Sequence, residues 1–205
     1  MPPEVTELSG RSILYPNTIT AEPWTTNGSD PALDGRSGST EPWTQQLLYS
    51  LILANRPHLV LETGAFLGHT TAWFADALER LGGGTLHTVE IDPIRLRAAQ
   101  GFVGRMETPN VFMVYHCMDA REAITMFPPK TIEFAWVDDD HDAKHVAEEF
   151  DLLIPRMAPG GIIAFHDVYG DFNLHKVVEK RKGFCLDLPR MHSGGGIGLW
   201  QKAAQ

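Results

Sequence analysis

The chain has 205 residues, 43% hydrophobic and 21% charged, which suits one globular domain with a sizeable core and leaves too little for two. A formal net charge of -9 argues against a nucleic-acid partner, because non-specific binding needs a basic face to neutralise phosphates. No apolar run reaches the length of a bilayer span and Met1-Pro2-Pro3-Glu4 begins nothing like a secretory signal, so a cytoplasmic protein with no membrane contact is expected.

Residues 1–40 are rich in Pro, Gly, Ser and Thr and read as an irregular N-terminal arm, leaving 41–205 as the folded domain. From Glu41 to Asn55, the spacing of Trp43, Leu47, Leu48, Leu51 and Leu53 predicts a first helix. Strand patterns then fall at His58–Thr63, Thr85–Glu90, Val111–His116, Ile132–Asp138 and Gly161–His166, with helical patterns at 69–81, 93–105, 119–127 and 142–157 between them. Strands alternating with helices imply a parallel sheet with right-handed crossovers. Two further apolar runs, Phe184–Leu188 and Ile197–Trp200, are joined by a loop containing Gly194-Gly195-Gly196, which suits an antiparallel pair. The expectation is an α/β fold: a Rossmann-like, doubly wound sheet of seven strands, five parallel plus a C-terminal antiparallel pair, with helices on both faces. That sheet pattern resembles the class I methyltransferases. Cys117 and Cys185 fall in or at the end of strands and read as buried thiols rather than a disulfide or a metal knuckle.

The stretch Leu59-Val60-Leu61-Glu62-Thr63-Gly64-Ala65-Phe66-Leu67-Gly68-His69-Thr70-Thr71 is a strand, a tight turn and a helix start. In an open α/β sheet, ligands bind at the carboxyl ends of strands. The glycines permit a close approach to the backbone, and Glu62 places negative charge where a cationic or hydroxyl-rich group would sit. Phe66 stands where a dinucleotide fingerprint has its middle glycine, which disfavours a pyrophosphate site. The segment Glu62–Thr70 is similar to the S-adenosylmethionine loop of catechol O-methyltransferase-like enzymes, which also carry an aromatic between the two glycines. The resemblance implies a donor pocket from Glu62, Gly64, Phe66, Gly68 and Thr70, with Glu90, at the tip of the second strand, accepting hydrogen bonds from the ribose hydroxyls. It places Asp119 at the adenine amino group, with Cys117 and Met118 against the ring. Asp119 reads equally well as a helix cap, and Asp92-Pro93 as the cap and first turn of the helix after the second strand.

A second cluster, Phe134-Ala135-Trp136-Val137-Asp138-Asp139-Asp140-His141, ends the fourth strand, and Phe165-His166-Asp167 ends the fifth. On adjacent strands, Asp138, His166 and Asp167 can meet above the sheet, where two carboxylates and an imidazole suit Mg²⁺ or, through the imidazole, Mn²⁺. His141, three residues after Asp138, is placed to remove a proton near neutral pH. This cluster resembles the metal-dependent small-molecule O-methyltransferases, including the macrocin and cephalosporin-biosynthesis group, whose acid, two residues and histidine match Asp138 and His141. The catechol enzymes carry lysine at the histidine's position and Asp-Asn after the fifth strand, so His166 is open between a ligand, a partner of one, and an acceptor contact. Asp138 is expected to serve both donor pocket and metal.

Several neighbours carry plainer expectations. Asp139 or Asp140 should cap the following helix, His145 and His175, both on helices, should be surface or packing residues, and Pro159-Gly160-Gly161 should be the turn into the fifth strand. Tyr15, Trp24, Trp43, Tyr169 and Phe172 could wall a site for a small hydroxylated acceptor, or else pack the arm onto the body or across a homodimer interface. Two rival readings are a nicotinamide-dependent oxidoreductase and a non-catalytic domain that binds the adenosyl cofactor.

Overall fold

The computed structural model of the chain describes residues 40–187 and 195–204. Helix α1 (Pro42–Asn55) is followed by β1 (Leu59–Thr63), α2 (His69–Arg80), β2 (Gly84–Val89), α3 (Pro93–Val103), β3 (Val111–His116), α4 (Ala120–Thr125), β4 (Ile132–Val137), α5 (Ala143–Leu153) and β5 (Met157–Phe165). A single 3-10 turn (Gly170–Phe172), α6 (His175–Lys180), β6 (Phe184–Leu186) and β7 (Ile197–Gln201) complete the order. All seven strands form one sheet in the order β3-β2-β1-β4-β5-β7-β6. Strands β1 to β5 pair in parallel, and β7 runs antiparallel to both β5 and β6. This is the expected Rossmann-like sheet.

Period-two alternation along the strands sends side chains to two separate cores. Val60, Leu86, Phe134, Trp136 and Ala164 pack under α1, α2 and α3 with Leu48, Ile52, Phe74 and Leu78. Leu61, Ala135, Val137, Ile163 and Phe165 pack under α4, α5 and α6 with Ile124, Phe150, Leu153 and Val178. The central strands are buried on both faces, as a helix-covered parallel sheet requires.

Three expectations change. Strand β5 begins at Met157, four residues before the sequence suggests, and Pro159-Gly160-Gly161 lies inside it. Ile132 pairs with Met157 but Phe134 pairs with Ile162, so this stretch loops out as a bulge that accommodates a proline without a donor. Helix α6 lies between β5 and β6 and begins at His175, a residue expected on a helix. Cys117 is exposed and Cys185 half-buried, and both thiols are free. No helix among the described residues is long and apolar enough to cross a membrane. Of the candidate acceptor aromatics, Tyr15 and Trp24 lie outside the described residues, as do Leu188 and Gly194.

The order of strands puts β1 between β2 and β4, so the turn that follows β1 touches the ends of both. Gly64 and Ala65 donate backbone hydrogen bonds to Val89 at 3.0 Å each, and Asp138 donates to Thr63 at 3.1 Å. Gly64 has φ +84°, and a Cβ there would lie 2.1 Å from the Asp138 carbonyl oxygen. Gly64→Ala should therefore cost roughly 2 kcal/mol or more and lower the melting temperature by about 4–8 °C. Gly82→Ala, at φ +96° but with no atom within 4 Å of the new Cβ, isolates the conformational part and should cost about 1 kcal/mol. Equal losses in thermal melts of the two variants would refute the close-approach account.

Candidate active site

Over the carboxyl edge of the sheet opens a cleft of about 1180 Å³. One side is built by Gly64 and Phe66 from the glycine turn, Glu90 and Ile91 after β2, Arg95 of α3 and the segment Met118–Arg121 after β3. The other is built by Asp138–Asp142 after β4, His145 of α5, His166 and Asp167 after β5, Phe172, and Glu41 at the start of α1.

On the first side, Glu90 faces the glycine turn. Its Oε2 accepts from the Phe66 amide and its Oε1 from the Asp92 amide, both at 2.9 Å. A carboxylate fixed by two backbone donors keeps lone pairs free on each oxygen. Phe66 takes a left-handed backbone, φ 46°, and the Arg95 guanidinium lies 5.0 Å from its ring centroid. Asp119 caps α4 through the Arg121 amide at 2.9 Å and is gripped by the Arg121 side chain at 3.1 and 2.9 Å. The Arg121 hydrogen bonds hold its carboxyl down at about 2. The residue thus lines the cleft and caps the helix together.

Three members of the expected donor loop do not line the cleft. Glu62 is wholly buried beneath the turn, where its Oε2 accepts from Thr71 and Thr88 hydroxyls at 2.6 Å each. Its strand parity puts it on the Val60 face, under α2, and not on the cleft wall. Burial pushes its carboxyl up to about 7 against the pull of the two hydroxyls. Thr70 is turned towards α1 and accepts from Gln45 at 3.3 Å. Gly68 packs against α3: a Cβ there would lie 2.8 Å from the Ala99 Cα.

On the second side, Asp138, His166 and Asp167 come together from the ends of adjacent strands. His166 donates from Nδ1 to Asp138 Oδ1 and from Nε2 to Glu41 Oε2, each at 2.9 Å, and its Nε2 lies 3.6 Å from Asp167 Oδ1. Thr40 donates to the other Asp138 oxygen at 2.6 Å. Burial opposes charge on His166, but Asp138 and Glu41 outweigh it and raise the imidazole well above its usual range. Asp167 is raised by burial, with His166 and His141 pulling the other way, and its backbone is left-handed, φ 46°. A non-glycine residue held there costs roughly 1 kcal/mol, and strain of this kind clusters at functional sites. His141 Nε2 stands 3.5 Å from Asp167 and 3.8 Å from Asp138, without a hydrogen-bond partner, and its ring lies against Phe172 at 4.6 Å between centroids. Asp138, His141 and His166 offer ligand atoms within 4.8 Å of one another, as do Glu41, His166 and Asp167.

The plainer expectations fare unevenly. Asp142, not Asp139 or Asp140, caps α5, accepting from Lys144 and His145 amides at 3.0 Å. His145 is a wall of the cleft, paired with Asp139 at 3.0 Å. Of the aromatics, Phe172 lines the cleft, Trp43 is 69% exposed, and Tyr169 stacks on His175.

The geometry has a counterpart in sequence. A family model described as a methyltransferase domain matches residues 61–168, just over half the chain and the span that holds the glycine turn, Glu90 and both acid clusters. The chain belongs to this methyltransferase family. No curated protein matches it. Among solved structures, the O-methyltransferase TomG from Streptomyces achromogenes, involved in tomaymycin synthesis and solved with S-adenosylmethionine, is similar at 18% identity and a TM-score of 0.65, over 85% of this chain and 90% of that one. A methyltransferase from Geobacter sulfurreducens is similar at 18% identity and 0.65, over 87% and 91%. An O-methyltransferase from Bacillus cereus with S-adenosylhomocysteine is similar at 18% identity and 0.61, over 80% and 81%. These similarities establish the methyltransferase fold, and the nicotinamide-oxidoreductase reading gives way to it.

The buried Glu62 of this methyltransferase makes a pH prediction. With its folded pKa raised from 4.5 to about 7, the folded form holds the proton more tightly than the unfolded chain. The parent therefore loses stability as pH rises across that window and is level above it. Glu62→Gln, neutral throughout, should gain on the parent by as much as about 3 kcal/mol between those limits. Urea unfolding of both proteins at the two ends of the window measures this, and a pH-independent difference would refute it.

Proposed function

We propose that the chain is an S-adenosylmethionine-dependent, divalent-metal-dependent O-methyltransferase acting on a small hydroxylated molecule. The observation that carries the reading is the meeting of two acid sets over one sheet edge: Glu90 beside the glycine turn, and Asp138, His166 and Asp167 across the same cleft. The donor fits the first side. Gly64 has no room for a side chain, Glu90 keeps lone pairs for sugar hydroxyls, and Met118 and Ile91 offer apolar contact for a ring. A cation fits the second. Glu41, Asp138 and Asp167 crowd negative charge around one imidazolium, which neutralises it only in part. The carboxylate oxygens, joined by the His166 imidazole once a bound cation displaces one of its protons, suit Mg²⁺ or Mn²⁺.

When bound, the sulfonium donor supplies an electrophilic methyl group and the cation lowers the pKa of a coordinated hydroxyl. The chain's own residues supply alignment and the proton acceptor. Glu90 and the glycine turn fix one partner, and Asp138, Asp167 and His166 hold the other beside it. His141, its Nε2 unpartnered and facing the cleft between the two aspartates, takes the acceptor's proton. Phe172 backs the His141 ring and limits its rotation. The net charge of -9 and the acid-lined cleft disfavour a nucleic-acid acceptor and leave a small molecule as the better fit. Retention of Asp138 and Asp167 speaks against a non-catalytic domain.

Calorimetry with S-adenosylhomocysteine should show binding in the micromolar range, weakened at least tenfold in Glu90→Ala, a loss of about 1.4 kcal/mol or more. Asp138→Ala should abolish methyl transfer to a catechol or sugar-hydroxyl acceptor panel in a protein that stays folded, with a lower melting temperature because the Thr40 and His166 contacts are lost. Absence of binding at millimolar ligand would end the donor reading. Parental turnover in Asp138→Ala would end the metal reading.

A further inference from the structure

Beside the proposed catalytic acids lies a second cluster that the methyl-transfer scheme does not use. Asp138 and Asp139 are adjacent in the chain but turn to opposite partners: Asp138 to His166 after β5, Asp139 to His145 on α5. His145 Nε2 is 3.0 Å from Asp139 Oδ2 and 3.9 Å from Glu149 Oε2, and the other ring nitrogen faces Asp140 Oδ2 at 3.7 Å. One ligand atom from each of Asp139, His145 and Glu149 lies within 4.8 Å of the others.

The observation that asks for a ligand is Glu149. Its side chain is 0% exposed, it sits within the apolar stripe of α5 between Val146 and Phe150, and neither carboxylate oxygen accepts a hydrogen bond of good geometry, although the polar side chains of Asp139 and Thr63 lie beside it. Asp139 Oδ1 is unpartnered as well. Buried acceptors without donors cost roughly 1–3 kcal/mol each and more when charged. One imidazole cannot reach all three oxygens, whereas a cation at their centre can.

We propose that Asp139, His145 and Glu149 form a second divalent-cation site, for a first-row metal such as Mn²⁺ or Zn²⁺. The spacing supports it: ligand atoms at about 2.1 Å from a metal stand about 3.0 Å apart at a right angle and wider in tetrahedral geometry. The observed 3.0 and 3.9 Å fall within reach of both after small side-chain adjustment. An imidazole between two carboxylates selects first-row metals over Mg²⁺ or Ca²⁺. Asp139 and His145 line the cleft, which gives the ion an entry path and leaves coordination positions open on that side. A cation there would tie the first two turns of α5 to the end of β4, next to Asp138. The site shares no ligand with the one proposed for methyl transfer and stands independently of it.

The test is a count of bound Mn²⁺. Chelator-stripped protein is titrated with Mn²⁺ to millimolar concentration and the free ion is followed by its EPR signal. The parent should bind two ions per chain, Glu149→Gln one, Asp138→Asn one, and the double variant none. Stripped Glu149→Gln should melt no lower than the stripped parent, since the amide has the same shape and never has to ionise, yet lose the second Mn²⁺-dependent rise in melting temperature. If Glu149→Gln does not fold, His145→Gln, whose side chain reaches the cleft wall, gives the same count. Unchanged Mn²⁺ stoichiometry in Glu149→Gln or His145→Gln would overturn the second site, including the case of a single ion removed by Asp138→Asn alone. A single ion lost in Glu149→Gln and kept in Asp138→Asn would uphold it and overturn the catalytic metal.

Discussion

Position 64 has no room for a side chain because the Asp138 carbonyl already occupies the space, and that contact ties the two halves of the cleft together. The turn after β1 is pinned on one flank by hydrogen bonds to Val89 and by Glu90, and on the other it presses against the backbone that carries Asp138 and Asp139. Glu90 and Asp138 are far apart in the chain, yet each is positioned by the same few residues. A shift in the glycine turn would move the sugar-side carboxylate and the opposite acid pair together. That coupling follows from strand order: β1 is the only strand with both β2 and β4 as neighbours.

The edge so built concentrates carboxylates, and the fold stabilises each by a different device. Glu62, under α2, is held by two threonine hydroxyls at 2.6 Å. Glu90 is held by two backbone amides. Asp119 has an arginine fork and a helix end, and Asp138 has a hydroxyl and an imidazole. Apart from the Arg121 fork, these donors belong to the backbone or to short side chains, and they hold each acid in place. Glu149 accepts no hydrogen bond of good geometry from any described residue, and burial together with the Asp139 charge raises its pKa well above the ordinary carboxyl range.

Much of this was legible in the residues, for identifiable reasons. The alternation of apolar strands with amphipathic helices fixed β1 to β5 to within a few residues, and the loop containing Gly194-Gly195-Gly196 signalled the antiparallel return. That Glu90, Asp138, His166 and Asp167 line one cleft is legible because the ends of parallel strands share one edge whatever their separation in sequence. Reading the motif as a unit puts Glu62 on the cleft, whereas strand parity puts it with Val60 beneath α2, where the structure has it. The bulge in β5 was read as a turn because Pro-Gly-Gly normally is one, and only the pairing with β4 shows otherwise. Glu41 gave no signal, since nothing local says that the start of α1 lies against His166. Glu149 did give one. A charge at the centre of the stripe Val146, Phe150 and Leu153, four residues after a histidine, is a buried acid on one helix face with an imidazole above it.

That the start of α1 closes over the acid pair has a consequence for how the cleft is assembled. Thr40 and Glu41 bind Asp138 and His166 at 2.6 and 2.9 Å, while Leu48 and Ile52, further along, are fully buried against α2 and the sheet. The apolar turns of α1 anchor the helix, and the anchored helix delivers two polar residues to the ends of β4 and β5. Hydrogen bonds to a buried charged group contribute about 1.5–3 kcal/mol each, so these two contacts rival the burial of a core side chain, worth roughly 1.5–3 kcal/mol. The cleft wall is therefore not finished by the alternating β/α units that supply most of the acids. It is completed by a helix that precedes them in the chain and packs on the opposite face of the sheet from α5, so that both layers of the fold contribute charge to the same point.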